Sequence, residues 1–106
     1  MYSTIINRCY YSSYLYISEW LLDKFNFKVK SKEDCDIDGE EFVSEHKQVR
    51  DILKEKGKSK ISQRLFKLSQ LRGTADYNPY DLLSDEDLDN AMRLMEYIFK
   101  NIKFDN

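Results

Sequence analysis

Apolar residues in this chain recur every three or four positions and nowhere alternate. Ile6, Tyr10, Tyr14, Ile17 and Leu21, with Trp20 widening the stripe, predict a long first helix over about Tyr2 to Phe25. Between Asn26 and Glu40 the period is lost and charge accumulates, with Gly39 as the flexible point. That stretch predicts a loop or lid, long enough to be a candidate functional segment. Phe42, Val49, Ile52 and Leu53 predict a second helix, which Gly57 and the Lys-Ser-Lys stretch after it bring to an end. A third is predicted from about Ser59 to Asp76, with Ile61, Leu65, Leu68, Leu71 and Ala75 on one side, stopped by Asn78-Pro79. Ser84 with Asp87 three residues on resembles a capping box, and Leu88, Ala91, Met95, Ile98 and Ile102 form a fourth stripe behind it. The expectation is one all-α domain over residues 1–106, an antiparallel up-and-down four-helix bundle whose connections are short except for the first.

Composition agrees with that reading. A chain of 106 residues is about one domain, and 42 % hydrophobic with 34 % charged residues is a foldable mixture. Gly 3 and Pro 1 argue against a loop-rich or all-β fold. The first twenty-odd residues include Arg8, several serines and Glu19 and hold no uninterrupted apolar run, so neither a secretory segment nor a membrane span is expected. Two cysteines, Cys9 and Cys35, do not make a disulfide framework, and a reducing cytoplasm is the expected compartment.

Charge changes the picture more. Residues 1–45 carry 5 basic and 9 acidic side chains, residues 46–72 carry 9 and 2, and residues 73–106 carry 3 and 8, so a net charge of -2 hides a strongly basic middle. Lys47, Arg50 and Lys54 recur at helical spacing, as do Lys60, Arg64 and Lys67. Such faces suit a phosphate backbone, and equally a solvated surface that pairs with the acidic flanks of its own fold.

Two clusters set arginine beside tyrosine, Asn7-Arg8-Cys9-Tyr10-Tyr11-Ser12-Ser13-Tyr14 and Leu71-Arg72-Gly73-Thr74-Ala75-Asp76-Tyr77. Arginine within a helical apolar pattern predicts a buried or half-buried guanidinium with a specific task, where a solvated surface would carry lysine at less cost. Taken with the lone His46 opening the next helix, the order Arg8 to Tyr14, His46, then Arg72 to Tyr77 resembles the HEPN domain of prokaryotic toxin–antitoxin, defence and nucleotidyltransferase-associated proteins. The resemblance implies a dimerising helical bundle, often a metal-independent ribonuclease that joins an arginine and a histidine four to six residues apart across the dimer interface.

The chain departs from that pattern at the chemistry. Counting from Arg8, the family histidine would lie no later than position 15, where residues 13 to 15 are Ser13, Tyr14 and Leu15. Imidazole suits proton transfer at a ribose hydroxyl because it titrates near neutrality, and neither leucine nor tyrosine replaces it. His46 is the sole histidine and hence the candidate replacement. Related domains often carry a helix before the arginine helix, so part of the fold is expected to be missing here or supplied in trans.

The expected function is an RNA-directed, HEPN-like protein of a toxin–antitoxin or defence system with a degenerate ribonuclease motif. Arg8 and His46 are its candidate catalytic pair, and Tyr10, Tyr11, Arg50, Lys54, Arg64, Arg72, Asp76 and Tyr77 are candidate substrate-binding residues. One alternative is a non-catalytic dimeric module that binds an antitoxin or nucleotidyltransferase; another is an active endoribonuclease using Arg8 and His46. A bland alternative has the tyrosines as core aromatics and Arg8 and Arg72 paired with Asp76 in a register-fixing network. A homodimer is expected, because Tyr2, Tyr11, Tyr16 and Trp20 cannot all point inward along with Tyr10 and Tyr14.

One further motif competes. Asp34, Asp36, Asp38 and Gly39, followed by Glu45, have the spacing of a calcium-binding EF-hand loop. Glu41 stands where an apolar residue is usual, and Lys28 to Glu33 lack the face of an entering helix, so a solvated acidic loop is expected instead. No zinc-type, phosphate-loop or serine-histidine-acid pattern is found in the sequence, and no cofactor is expected.

Overall fold

The computed structural model describes residues 2–77 and 83–103, with side chains for all of these except 75–77. Five helices follow one another: α1 (Tyr2–Phe25), α2 (Lys32–Asp38), α3 (Glu45–Glu55), α4 (Ser59–Tyr77) and α5 (Asp85–Asn101), with no strand among the described residues. α1 packs on α4 and α5, α3 packs on α4, and α4 packs on α5. A shortest extent of 19 Å is the thickness of two helix layers. No helix among the described residues is long and apolar enough to cross a membrane.

The core lies along the stripes that the periodicity predicts. Ile6, Tyr10, Ile17, Trp20 and Leu21 of α1 are buried against Val49 and Leu53 of α3, Ile61, Leu65 and Leu68 of α4, and Ala91, Ile98 and Ile102 around α5. Each fully buried side chain of this size removes enough apolar surface from water to stabilise the fold by ~1.5–3 kcal/mol. Ser13 and Ser62 are also buried, and each satisfies its hydroxyl on backbone: Ser13 donates to the Cys9 carbonyl (2.7 Å) and Ser62 to the Arg50 carbonyl (3.0 Å). The second bond ties α4 to α3. Tyr16 ties α1 to the end of α5 by donating to the Ile102 carbonyl at 2.6 Å.

Helix ends follow their local chemistry. Ser84 and Asp87 form the predicted capping box, each side chain taking up the other's backbone N–H, and three acidic residues occupy the first turn of α5. Gly57 ends α3 at φ 79°, with its N–H on the Lys54 carbonyl and that of Lys58 on the Leu53 carbonyl, a Schellman arrangement. The predicted stop at Asn78-Pro79 lies outside the described residues.

Two expectations change. Phe42 does not belong to the second helix: Ser44 caps α3 by accepting from the Lys47 N–H (3.3 Å), so the helix begins at Glu45 and leaves Phe42 in the preceding connection. The predicted first loop contains α2, a seven-residue helix capped by Ser31 and closed at Gly39 (φ 72°) by a second Schellman arrangement. It has one buried residue, Cys35, and so is too short to show an apolar period. The EF-hand reading fails for the same reason. Asp34, Asp36 and Asp38 sit on helical backbone, where positions two apart diverge by about 200°, and cannot converge on one ion. Asp38 is paired with Lys30 instead, and no cluster of three or more metal-ligating side chains occurs among the described residues.

Gln48 of α3 holds the connections on either side of α2. Its amide exchanges two hydrogen bonds with the Lys30 backbone (2.8 and 2.9 Å) and donates to the Val43 carbonyl (2.7 Å). The segment read as a lid is thereby fastened beside the start of α3.

Candidate functional site

Tyr10 is the centre of the most polar part of the interior. It follows Ile6 by one turn on the core stripe of α1, is 1 % exposed, and forms a hydrogen bond through its hydroxyl to Nδ1 of His46. His46 is the second residue of α3, so the Ser44 cap that starts the helix also delivers the imidazole to α1. Tyr14, one turn beyond Tyr10, stacks near-parallel with it (6.2 Å between centroids, 10° between planes) and lies 4.7 Å from the His46 ring. Imidazole and two phenols thus form one block.

Two guanidiniums act on that block, Arg72 by contact and Arg50 by its charge. Arg72, from α4, sits 4.9 Å from the Tyr11 ring centre and 5.5 Å from that of Tyr10. Arg50 is one turn beyond His46 on α3, lies 4.6 Å over the Phe66 ring, and has a buried Nε without a hydrogen-bond partner among the described residues. Burial in aromatic surroundings holds the charge of each while stripping much of its water, which strengthens its pull on an anion.

Protonation follows from the same packing. Burial chiefly, then the positive charge of Arg72 and that of Arg50, hold His46 below the ordinary histidine value, with Glu45 opposing. Burial raises the Tyr10 hydroxyl well above its ordinary value, with Tyr14 and Tyr11 adding to the rise and the two arginines opposing it. At neutral pH the pair is therefore a protonated phenol and a neutral imidazole.

The predicted site residues fall into separate places. His46, Tyr10, Tyr11, Arg50 and Arg72 come together. Tyr14, expected on the core stripe of α1 but not among the substrate-binding candidates, joins them, and its spacing of four from Tyr10 is the signal that could have found it. Arg8 is exposed and not buried as expected. It stands two positions from Tyr10, about 200° around the helix, on the opposite face of α1 from His46. Lys54 is exposed on α3, and Arg64 lies on α4 with its guanidinium 3.7 Å over the Tyr97 ring of α5. The side chains of Asp76 and Tyr77 lie outside the described residues, and so does the predicted pairing of arginine with Asp76.

The basic middle is not one continuous stripe. Lys56 and Lys58 cover the Phe25 and Trp20 rings of α1 at 4.8 and 5.8 Å, Arg72 turns toward Tyr10 and Tyr11, Arg50 lies over Phe66 of α4, and Arg64 turns toward α5. Many of these cations pack on aromatic rings of the chain itself. Comparison with known protein families, curated proteins and solved structures gives no match.

Proposed function

We propose that this chain is an RNA-directed, HEPN-like helical protein with a degenerate ribonuclease motif, acting in a cytoplasmic toxin–antitoxin or defence setting. The observation that carries the RNA reading is that His46 lies on the Tyr10 and Tyr14 rings and Arg72 on those of Tyr10 and Tyr11, with the charge of Arg50 also acting on His46. Two half-buried guanidiniums beside a neutral imidazole suit a phosphodiester: the planar cations take the non-bridging oxygens, and the exposed Tyr11 ring offers a face to a base.

The same geometry argues for binding over cleavage. With its proton held, the Tyr10 hydroxyl suits the tautomer in which it donates to Nδ1 and the neutral imidazole carries its proton on Nε2. A ring in that state donates to a phosphate oxygen and is not poised to deprotonate a ribose hydroxyl. Arg8 stands on the opposite face of α1 and adds nothing to the charge at His46 within one chain. Fluorescence anisotropy with single-stranded RNA tests the reading: Arg72→Gln and Arg50→Gln should each weaken binding about 5- to 20-fold at low salt. Unchanged affinity in both variants would overturn it.

A dimeric interaction module is the second reading, and a different observation favours it. The expectation that surplus aromatics demand a second copy rests on Tyr11, which is 43 % exposed, and not on the others. Trp20 is 3 % exposed, Tyr16 bonds to Ile102, and Tyr2 bonds to Asp85, all within one chain. A better argument is the back of α1, where Ile5, Arg8, Ser12, Leu15, Glu19 and Leu22 are all exposed at alternating spacings of three and four. Two such helices packed antiparallel about a two-fold axis between Ser13 and Tyr14 place Arg8 against Glu19 of the other copy, and Ile5 against Leu22. The face is self-complementary, as a two-fold interface requires. An antitoxin or nucleotidyltransferase would compete for this surface.

A further inference from the structure

A second basic place lies on another face of α4. Lys67 and Arg72 are five residues apart, about 140° around the helix. Arg72 turns toward α1, and Lys67 lines an open cleft of about 620 Å³ between α4 and α5. Arg64 and Arg93 flank the same cleft, Gln70 and Asn90 bring side-chain amides to it, and none of the carboxylates among the described residues lines it. Leu71 and Leu94 supply apolar wall. The volume suits a small organic ligand of nucleotide size.

The wall has a defined shape. The guanidinium of Arg64 lies 3.7 Å over the Tyr97 ring and donates from Nη1 to the Lys60 carbonyl at 3.2 Å, which holds the plane still. A supported guanidinium plane is a stacking platform on which a base can lie. Arg93 is steadied by Asp89 through Nε (2.8 Å), one helical turn away.

We propose that the α4–α5 cleft seats one nucleotide, with its base on the Arg64 plane, its edge on the Gln70 and Asn90 amides, and its phosphate between Lys67 and Arg93. The seat deepens the RNA reading by adding a place where a base is held, and it rests on that reading only for the source of the nucleotide, a free molecule or a unit of an RNA strand. Stacking and charge act together here, so a nucleotide binds more tightly than inorganic phosphate or a nucleoside alone.

Calorimetric titration of the whole chain with uridine and adenosine monophosphate, inorganic phosphate, uridine, and an eight-nucleotide RNA tests this. A monophosphate should bind at least tenfold more tightly than phosphate. Arg64→Lys, which keeps the charge and loses the plane, should remove that advantage, as should Tyr97→Leu, while circular dichroism verifies unchanged helicity. An octamer that binds at least tenfold more tightly than the monophosphate, and loses that affinity in Arg64→Lys, marks a strand as the source; equal affinities mark a free nucleotide. Monophosphate binding no tighter than phosphate, or untouched by Arg64→Lys, would sink the proposal. Arg72→Gln separates the two sites: nucleotide binding should survive it, and RNA affinity that does not fall in that variant counts against the Tyr10 cluster and not against this cleft.

Discussion

Tyr10 and His46 stand thirty-six residues apart in the chain and share one hydrogen bond, phenol to Nδ1, at the place where two guanidiniums approach the interior. The bond couples the folding of α1 and α3 to the protonation state of the only histidine. It also gives the candidate site a spectroscopic handle.

The pH dependence of stability should carry the signature of that histidine. Its folded pKa lies below the ordinary value of 6.5, so the unfolded chain binds the proton more readily than the folded one. The contribution is fully present above about pH 6.5 and is lost as pH falls through the folded pKa. Urea unfolding at pH 7.5 and 5 should show a fall in stability that is smaller in His46→Gln. A proton titration followed by NMR should place His46 below 6.5, and Arg72→Gln should raise it.

Removing the phenol hydroxyl tests the tautomer. Tyr10→Phe leaves the ring packing intact and takes away the donor to Nδ1, at a cost of about 0.5–1.5 kcal/mol in unfolding free energy. Because that donor favours the neutral imidazole, the His46 pKa should rise in the variant. A fall would show that His46 donates and the phenol oxygen accepts.

Ribonuclease activity should be weak or nil. A correctly placed general acid or base is worth about 10²- to 10⁴-fold in rate, and a His46 whose Nδ1 is engaged by the Tyr10 hydroxyl, with Arg8 on the opposite face of α1, does not supply it. RNA binding should persist and fall steeply with salt, and the slope of log affinity against log salt should shrink by about 0.7 for each phosphate that a variant no longer neutralises. Charge reversal at Arg50 and Lys54 should weaken binding without changing sequence preference, reversal at Arg64 should weaken it and also remove the base seat of the α4–α5 cleft, and Arg8→Ala should leave it nearly intact. Metal-independent cleavage that both Arg8→Ala and His46→Ala abolish would establish the enzyme instead.

Self-association through α1 is open to a charge-swap test. Sedimentation should show a dimer at micromolar concentration, and Arg8→Glu or Glu19→Arg alone should weaken it. The double variant should restore it, since the pairing between copies is then reversed and complete. A monomer throughout, or a double variant no better than either single one, would rule out this antiparallel pairing.

Four of the five helices were legible because each is long enough to repeat its apolar period, and two of them have recognisable ends, α5 in Ser84 with Asp87 and α3 in Gly57. α2 was hidden because seven residues around one buried cysteine show no period, although Ser31 and Gly39 mark its two ends. The site was legible only as a set of residue types. Tyr10, His46, Arg50 and Arg72 stand out from their neighbourhoods in the chain, and Arg8 groups with them because it is close to Tyr10 in sequence. Helical rotation then separates them: two positions along α1 reverse the direction of a side chain, so Arg8 leaves the interior that Tyr10 enters. The basic middle divides for the same reason. Sequence determined which segments coil and how many cations they carry, since both depend on local spacing and composition; the packing of α1, α3, α4 and α5 decided which cation meets which ring, because that depends on the angle at which each helix face is presented.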